Sequence, residues 1–378
     1  MRKLFLSMMA VAALVLSSCS SDDDNSDNGG GDVVIDPNDF RGDLNDGDNV
    51  TLDPTLTYNL TGALVVNAGA TLTIPQGTRI VASGGTSSYI AVAQDGKIYV
   101  NGTASDPVVM TSAKTSPAAG DWGGLVICGR ANTNKGGSGG QTATAEVSDL
   151  TYGGTKNDDN SGVVKYLRIE YTGATFNGEK EFNGLSLFGV GSGTTIEYVQ
   201  SFEGGDDGIE FFGGAVNGKY LVSTNSGDDS IDFADGWSGT GENWYISGGA
   251  KAGIEGSNNG DDGAATPTTT ATLKNITVVG PGSEGGIFIK EGGGKWTVDN
   301  FFISGFETGI NIKNATDDPA ANAFVAAGDI TFTNVAFDNV ATQSNYEGTE
   351  SFFTVGTATG AGAGADVPSW ANGWTRFE

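Results

Sequence analysis

The sequence predicts an all-β fold, a parallel β-helix solenoid of roughly ten to twelve turns. The main evidence is an internal repeat: residues 204–211, GGDDGIEF, recur as residues 226–233, SGDDSIDF, at a spacing of 22 residues. A fixed period between about 20 and 45 residues is typical of a solenoid. The repeated unit is rich in Val, Ile, Phe, Tyr and Thr and is punctuated by Gly and Asn, which favours strands and tight turns.

A step from Gly or Ser to Leu or Ile extends this period along the chain. It occurs at Gly184-Leu185, Gly208-Ile209, Ser230-Ile231, Gly253-Ile254, Gly286-Ile287 and Gly309-Ile310. In a strand that follows such a step, side chains alternate between the inside of the coil and its outer face. We therefore expect a continuous repeat over residues 163–339, with a loop insertion near residues 256–270 and no helix outside the N-terminus.

The first 18 residues have the features of a bacterial export signal. Arg2 and Lys3 precede an apolar run, residues 4–16, that is too short to span a bilayer. The run ends in LSSC, which resembles a lipobox, the motif in which cleavage leaves the Cys, here Cys19, to receive a lipid. The acidic residues 22–24 resemble the surface-export signal of Bacteroidetes lipoproteins. We therefore predict an outer-membrane lipoprotein that is exposed on the cell surface.

The composition of the chain limits its partners and its chemistry. It contains 61 Gly and no His, and its formal net charge is −27. So negative a protein disfavours binding to nucleic acids and favours bound cations. The lack of His excludes His-based catalytic triads and His metal ligands.

The polarity of the sequence divides it into three parts. Residues 1–18 form the predicted signal peptide, and residues 19–50, rich in Asp, Asn and Gly, form a flexible acidic tether. A single β-helix domain is predicted over residues 51–378. Within it, Gly-, Ser- and Thr-rich segments near residues 134–162 and 341–367 predict excursions from the coil.

Three segments near the start of this domain resemble those of known bacterial β-helix proteins. They are residues 70–78, ATLTIPQGT, residues 101–109, NGTASDPVV, and residues 120–125, GDWGGL. In that family these segments form the first turns of a right-handed, pectin-lyase-like coil, so the resemblance implies a right-handed solenoid. The later Asp-Asp repeats and residues 370–377, WANGWTRF, resemble an uncharacterised group of Bacteroidetes β-helix lipoproteins. Neither resemblance implies an activity.

The repeated Asp-Asp pair is the candidate functional site. Stacking of successive turns at about 4.8 Å would place Asp206 under Asp228 and Asp207 under Asp229. Carboxylates so close repel one another, and a bound cation would offset that repulsion. Because hard cations take six to eight oxygen ligands, we predict a Ca²⁺ site here. Its predicted ligands are Asp206, Asp207, Asp228, Asp229 and Asp232, with Glu210 and Asp235 at the margin.

Hydrolysis of a polysaccharide by the same aspartates is an alternative. Polygalacturonases carry three aspartates on adjacent turns, followed by a His and by an Arg-x-Lys motif, and Asp207, Asp228 and Asp229 could match the aspartates. The His is missing here, and Phe288 stands in place of the Arg. Of the residues that accompany the aspartates in that family, only the Lys has a counterpart, Lys290. This departure from the family pattern makes a true polygalacturonase a weaker interpretation.

A Ca²⁺-dependent polysaccharide lyase is a second enzymatic alternative. Such an enzyme would use Ca²⁺ to neutralise the substrate uronate and a basic side chain to remove a proton, and Lys251 lies one turn beyond Asp229. Neighbouring aspartates, however, favour the charged form of a Lys, which cannot act as a base. The interpretation therefore leans away from an enzyme.

A purely structural role for the aspartates is a third alternative. Asp and Asn side chains at the corners of a β-helix can satisfy the exposed backbone of the turns without any ligand. Neutral Asn ladders fill that role easily, whereas paired Asp-Asp steps carry a repulsion that capping does not require.

Aromatic residues near the acidic repeats predict a ligand-binding face. Phe211, Trp237, Trp244 and Tyr245 could stack on sugar rings. The sequence therefore favours a lipid-anchored surface protein that binds a glycan or a cation beside the aspartates, with an outer-membrane importer as its candidate partner. A non-catalytic adhesion scaffold remains the other interpretation.

Overall fold

The computed structural model describes residues 35–136, 141–178 and 180–378. Within these ranges, 24 strands are hydrogen bonded into one continuous parallel array, and two more form an antiparallel hairpin. The predicted all-β, right-handed parallel β-helix is confirmed. None of the helices in these ranges is long and apolar enough to cross a membrane.

The strands of the first half are β1 (Phe40–Leu44), β2 (Asn49–Thr51), β3 (Thr57–Val66), β4 (Thr71–Pro75), β5 (Arg79–Ala82), β6 (Ile90–Val92), β7 (Lys97–Asn101), β8 (Val108–Ser112), β9 (Leu125–Cys128), β10 (Thr142–Thr144), β11 (Thr151–Gly153), β12 (Gly162–Glu170) and β13 (Leu185–Phe188). Those of the second half are β14 (Thr195–Phe202), β15 (Ile209–Phe212), β16 (Asn217–Thr224), β17 (Ile231–Ala234), β18 (Thr240–Ser247), β19 (Ala252–Gly256), β20 (Thr270–Val279), β21 (Gly285–Ile289), β22 (Lys295–Ser304), β23 (Thr308–Ile312), β24 (Ile330–Asp338), β25 (Thr342–Ser344) and β26 (Phe353–Val355). One helix, α1 (Pro319–Ala326), and two 3₁₀ turns, Gly85–Ser87 and Ser369–Ala371, complete the elements.

The parallel strands stack as three faces along the coil. The first face runs through β2, β4, β7, β12, β14, β16, β18, β20, β22 and β24. The second face uses β5, β8 and the later halves of the long strands from β12 onward. The third face runs through β6, β9, β13, β15, β17, β19, β21, β23 and β25. Ten strands on the first face agree with the predicted number of turns.

Each long strand bends between the first and second faces at one residue with a left-handed backbone. Asn occupies this position in the later turns, as in Asn243 (φ 59°) and Asn275 (φ 58°), because Asn tolerates that conformation. The earlier turns use Tyr166, Tyr198 and Tyr220 instead, for which the conformation is costly. Their rings stack at centroid distances of 4.3 and 4.4 Å, and this stacking offsets part of the strain.

The third face has the register that the Gly-to-apolar steps predicted. Each apolar residue of a step pairs with the next one, in the order Leu185, Ile209, Ile231, Ile254, Ile287 and Ile310. All six are fully buried inside the coil. The residue after each of them therefore faces outward, away from the core.

The structure corrects three details of the sequence prediction. The coil begins at β1, within the predicted tether of residues 19–50, because Phe40 is buried against Tyr58. The unpredicted helix α1 is only eight residues long, too short for a clear period, and Asp318 caps it by accepting a hydrogen bond from Ala321 N. Within residues 341–367, predicted to leave the coil, β25 and β26 still pair with β23 and β24.

Candidate functional site

Three carboxylates lie side by side on the outside of the third face. Glu210 on β15 pairs in register with Asp232 on β17, which pairs with Glu255 on β19. Each is the residue that follows a buried Ile, so strand alternation turns its side chain outward. They are nevertheless only 8, 7 and 5% exposed, because excursions of the chain cover this part of the face. We call Glu210, Asp232 and Glu255 the carboxylate column.

The corner before these strands holds the repeated aspartates. Asp229 donates its backbone N–H to Asp207 Oδ1 over 2.8 Å, and Ala252 donates its own to Asp229 Oδ1 over 2.5 Å. Asp207 therefore lies beneath Asp229, as the 22-residue spacing predicted. One oxygen of each aspartate caps the backbone of the next turn, which is the role that the structural alternative proposed.

The predicted metal ligands fall into neighbouring groups, in each of which ligand oxygens lie within 4.8 Å of one another. These groups are Asp206 with Asp207 and Asp228, Asp207 with Glu210 and Asp232, and Asp229 with Glu255 and Glu284. The third group contains two residues that the sequence prediction did not include. Glu255 could have been found, because it follows its Gly-to-Ile step at the same distance as Glu210 and Asp232.

Only some of these carboxylates have a cationic partner. Lys251 Nζ lies 2.7 Å from the Asp228 carboxylate, and Lys290 Nζ lies 2.7 Å from that of Glu255. Among the ion pairs of the described ranges, none includes Asp207, Glu210 or Asp232.

The hydrogen bonds of this middle group are also incomplete. Glu210 accepts a hydrogen bond from Asn183 Nδ2 at 2.6 Å. Asp232 Oδ1 is buried, and no hydrogen-bond partner for it lies in the described part of the chain. A buried acceptor without a partner is costly, so this oxygen marks the place where a ligand would be stabilised.

A second column of charges, on the first face, is arranged differently. Its members alternate in sign from turn to turn: Lys165, Glu197, Lys219, Glu242, Lys274 and Asp299. Lys165 lies 2.9 Å from Glu197, and Lys219 lies 3.3 Å from Glu242. This surface column neutralises itself, whereas the three residues of the carboxylate column have like charges.

Burial and mutual repulsion change the acidity of the site. Burial first, and then the nearest carboxylates, raise the pKa of Asp207, Glu210 and Asp232 well above the usual range. Burial, together with Asp228, raises the pKa of Asp206 to about 7. A bound cation would have the opposite effect, because it favours the charged form of each carboxyl group.

A cavity of about 210 Å³ opens beside the carboxylate column. Six acidic residues line it: Glu146, Glu210, Asp232, Asp235, Glu255 and Glu291. Lys135 and Lys180 are its basic residues. Tyr152, on β11 of the hairpin, lines it together with Phe188 and Phe212, whose rings stack at 4.1 Å. The wall of the cavity thus has an acidic part and an aromatic part.

The two lysines predicted for the enzymatic alternatives are both held in ion pairs. The hydrogen bond from Lys251 to Asp228 raises the pKa of Lys251. Burial alone would lower the pKa of Lys290, but the adjacent Glu255 outweighs it and raises that pKa. A Lys with a raised pKa stays charged at neutral pH, so neither side chain is suited to removing a proton.

The aromatic residues predicted to stack on a sugar are in the wrong place. Phe211, Trp237 and Trp244 are fully buried inside the coil, and Tyr245 is 4% exposed beneath the C-terminal segment. The two indoles donate hydrogen bonds to the backbone carbonyls of Val216 and Gly218. Glycines make room for them, since a Cβ at Gly241 would lie 2.4 Å from the Trp244 ring. The prediction for these four residues was wrong.

Comparison with known proteins gives one positive result. The profile described as a pectate-lyase-like β-helix domain matches residues 42–375, nearly the whole coil. The chain belongs to this family. No curated protein and no solved structure matches the chain significantly. Membership of the pectate-lyase-like β-helix family accounts for the solenoid but does not specify a function, because one fold carries many different sites.

Proposed function

We propose that this protein is a lipid-anchored cell-surface β-helix that binds Ca²⁺ at Asp207, Glu210 and Asp232 and a glycan in the adjoining cavity. The observation that carries the proposal is Asp232 Oδ1, a buried oxygen without a hydrogen-bond partner in the described ranges, between two like-charged neighbours. The same chain neutralises its other charged column with alternating signs, so like charges are not inherent to stacking.

The chemistry of the site suits a hard cation. Ca²⁺ takes oxygen ligands, and the three carboxylates supply oxygens that lie within 4.8 Å of one another. Asn183 Oδ1 and Ser186 Oγ are also buried without hydrogen-bond partners in the described chain, and Ser186 pairs in register with Glu210. These two neutral oxygens extend the set toward the six or more ligands that Ca²⁺ prefers.

The cellular part of the proposal comes from residues outside the described ranges. Cys19 and the acidic residues 22–24 follow an apolar run typical of exported lipoproteins. An outer-membrane importer that receives a captured glycan is the partner this location favours. A polysaccharide lyase is a weaker candidate, because Lys251 and Lys290 are engaged in ion pairs.

Thermal unfolding tests the metal site directly. A ligand that binds only the folded state at 100 times its dissociation constant adds about 2.7 kcal/mol. We expect a higher melting temperature in millimolar Ca²⁺ than in chelator. Asp232→Asn should abolish that increase, and it should leave the metal-free protein at least as stable because it removes a carboxyl group whose charged form burial disfavours.

The matched control is Asp158→Asn, which removes an exposed carboxylate outside the site and should retain the full effect of Ca²⁺. An unchanged melting temperature of the native protein between chelator and millimolar Ca²⁺ would contradict the metal site. In that case the aspartates would be corner caps.

A further inference from the structure

We infer that the cavity beside the carboxylate column recognises an ammonium group, so that the glycan it takes carries free amino groups rather than uronate carboxylates. The inference deepens the proposed glycan binding and rests on it. It does not require the metal site.

The charge of the cavity wall is the first argument. Six carboxylates and only two lysines line the cavity. One of those lysines, Lys180, is already paired with Glu146 at 2.8 Å, and the other, Lys135, is paired at 2.9 Å with Asp261. Such a wall attracts cations and repels the carboxylates of a uronate polymer.

The unused acceptors are the second argument. Asp232, which is 7% exposed and lines the cavity, has one buried oxygen without a hydrogen-bond partner in the described residues. Asp235, 5% exposed, contacts the Tyr152 hydroxyl only over a long 3.4 Å. An ammonium group carries three N–H donors and one positive charge, which suits either acceptor. When Ca²⁺ occupies Asp232, Asp235 remains available to it.

The size and the wall of the cavity are the third argument. Its 210 Å³ is below the roughly 300–1,000 Å³ typical of pockets for drug-sized ligands, so it takes one small unit of a larger molecule. Tyr152, Phe188 and Phe212 form the apolar part of the wall. Aromatic rings favour a nearby ammonium group and the apolar face of a sugar ring. One amino sugar of a chain combines both features.

Calorimetry with three matched oligosaccharides tests the inference on the full-length protein. The probes are trimers of glucosamine, of N-acetylglucosamine and of galacturonate, each measured at physiological ionic strength with Ca²⁺ and with chelator. We expect the glucosamine trimer to bind at least about tenfold more tightly than the acetylated trimer, which lacks the charge. The galacturonate trimer should not bind. Equal binding of the first two, or binding of the third, would overturn ammonium recognition.

Variants separate the cavity from the overall negative charge of the protein. Asp235→Asn should weaken binding of the glucosamine trimer about tenfold or more and leave the Ca²⁺-induced shift in melting temperature intact. Asp158→Asn, with the same change in net charge on an exposed residue, should leave both unchanged. An equal loss of affinity in the two variants would overturn the inference, since the binding would then be a general charge effect.

Two further outcomes distinguish a failure of the metal site from a failure of ammonium recognition. Glucosamine binding without any Ca²⁺ effect on melting would overturn the metal site and support ammonium recognition. A Ca²⁺ effect without glucosamine binding would overturn ammonium recognition alone. Spermidine supplies ammonium groups without a sugar, so weaker binding of spermidine supports a glycan ligand and equal binding overturns that assignment.

Discussion

Aspartates of one repeat have different surroundings, and these decide what each can do. Asp207 and Asp229 each direct one oxygen to a backbone N–H of the next turn. Asp228 is paired with Lys251 near the surface, whereas Asp232 has a buried oxygen with no partner in the described ranges. Capping and ligand binding are therefore compatible here, because a carboxylate has two oxygens and the cap uses only one.

The raised pKa values predict how stability depends on pH. In the folded state the pKa of Asp206 is about 7 and that of Asp235 about 6, mainly through burial, against about 4 in the unfolded chain. An acid with a raised folded pKa binds more protons when folded, so its stabilising effect is lost as pH rises from about 4 through the folded pKa. These two residues alone should therefore make the metal-free protein less stable at pH 8 than at pH 5, by about 2–4 kcal/mol.

Chemical denaturation in chelator at these two pH values measures the difference. Asp206→Asn combined with Asp235→Asn should reduce the dependence without removing it, because the pKa values of Asp207, Glu210 and Asp232 are also raised. Ca²⁺ should protect the native protein more at pH 8 than at pH 5. Equal or greater stability at pH 8 in chelator would contradict the burial of these charges.

Among the strands of one face, side chains interact mainly with the equivalent residues of neighbouring turns, which together form a column. Neighbouring turns place equivalent residues about 4.8 Å apart, so each side chain meets the same position one turn above and one turn below. On the first face this column alternates Lys with Glu or Asp, and on the third face it holds Glu210, Asp232 and Glu255 in succession. The contrast marks the third face as the candidate functional face.

The alternating column gives a prediction for a single position. Lys219 lies between Glu197 and Glu242 on adjacent turns. Lys219→Glu should lower the free energy of unfolding by about 1 kcal/mol at low salt, because it replaces attraction on both sides with repulsion. Urea denaturation at low and at high salt would measure the loss and its screening. Lys219→Gln, which only removes the attraction, should cost less, and an equal cost that salt does not change would contradict the electrostatic explanation.

At the scale of the whole molecule, distant segments cover the outer faces of the coil. The hairpin β10–β11 brings Tyr152 against Phe188 at 5.1 Å, and this contact forms one wall of the cavity. The C-terminal segment returns along the second face, where the buried Trp374 packs against Tyr166 and Tyr198 at 5.9 and 6.0 Å. These segments convert an open solenoid surface into one with a defined cavity.

Anchoring by the N-terminus is a prediction about the whole protein in its cell. Cys19→Ala removes the thiol that would receive the lipid, so the protein should appear in the soluble fraction instead of the outer-membrane fraction. Deletion of residues 22–24 should leave it anchored but protected from added protease on intact cells. Detergent-dependent membrane association of Cys19→Ala would contradict lipidation at this residue.

The coil, its period and the register of its third face could be predicted from local sequence patterns. These follow from local patterns, since a 22-residue repeat and alternating side chains specify which residues stack and which point inward. The sequence also placed Asp207 and Asp232 near one another. Which outward side chains are covered could not be predicted in this way, because it depends on contacts between residues far apart in the chain, such as Trp374 with Tyr166. For the same reason the ion pair of Lys290 with Glu255, the burial of Trp237 and Trp244, and the cavity under the hairpin could not be predicted from local pattern.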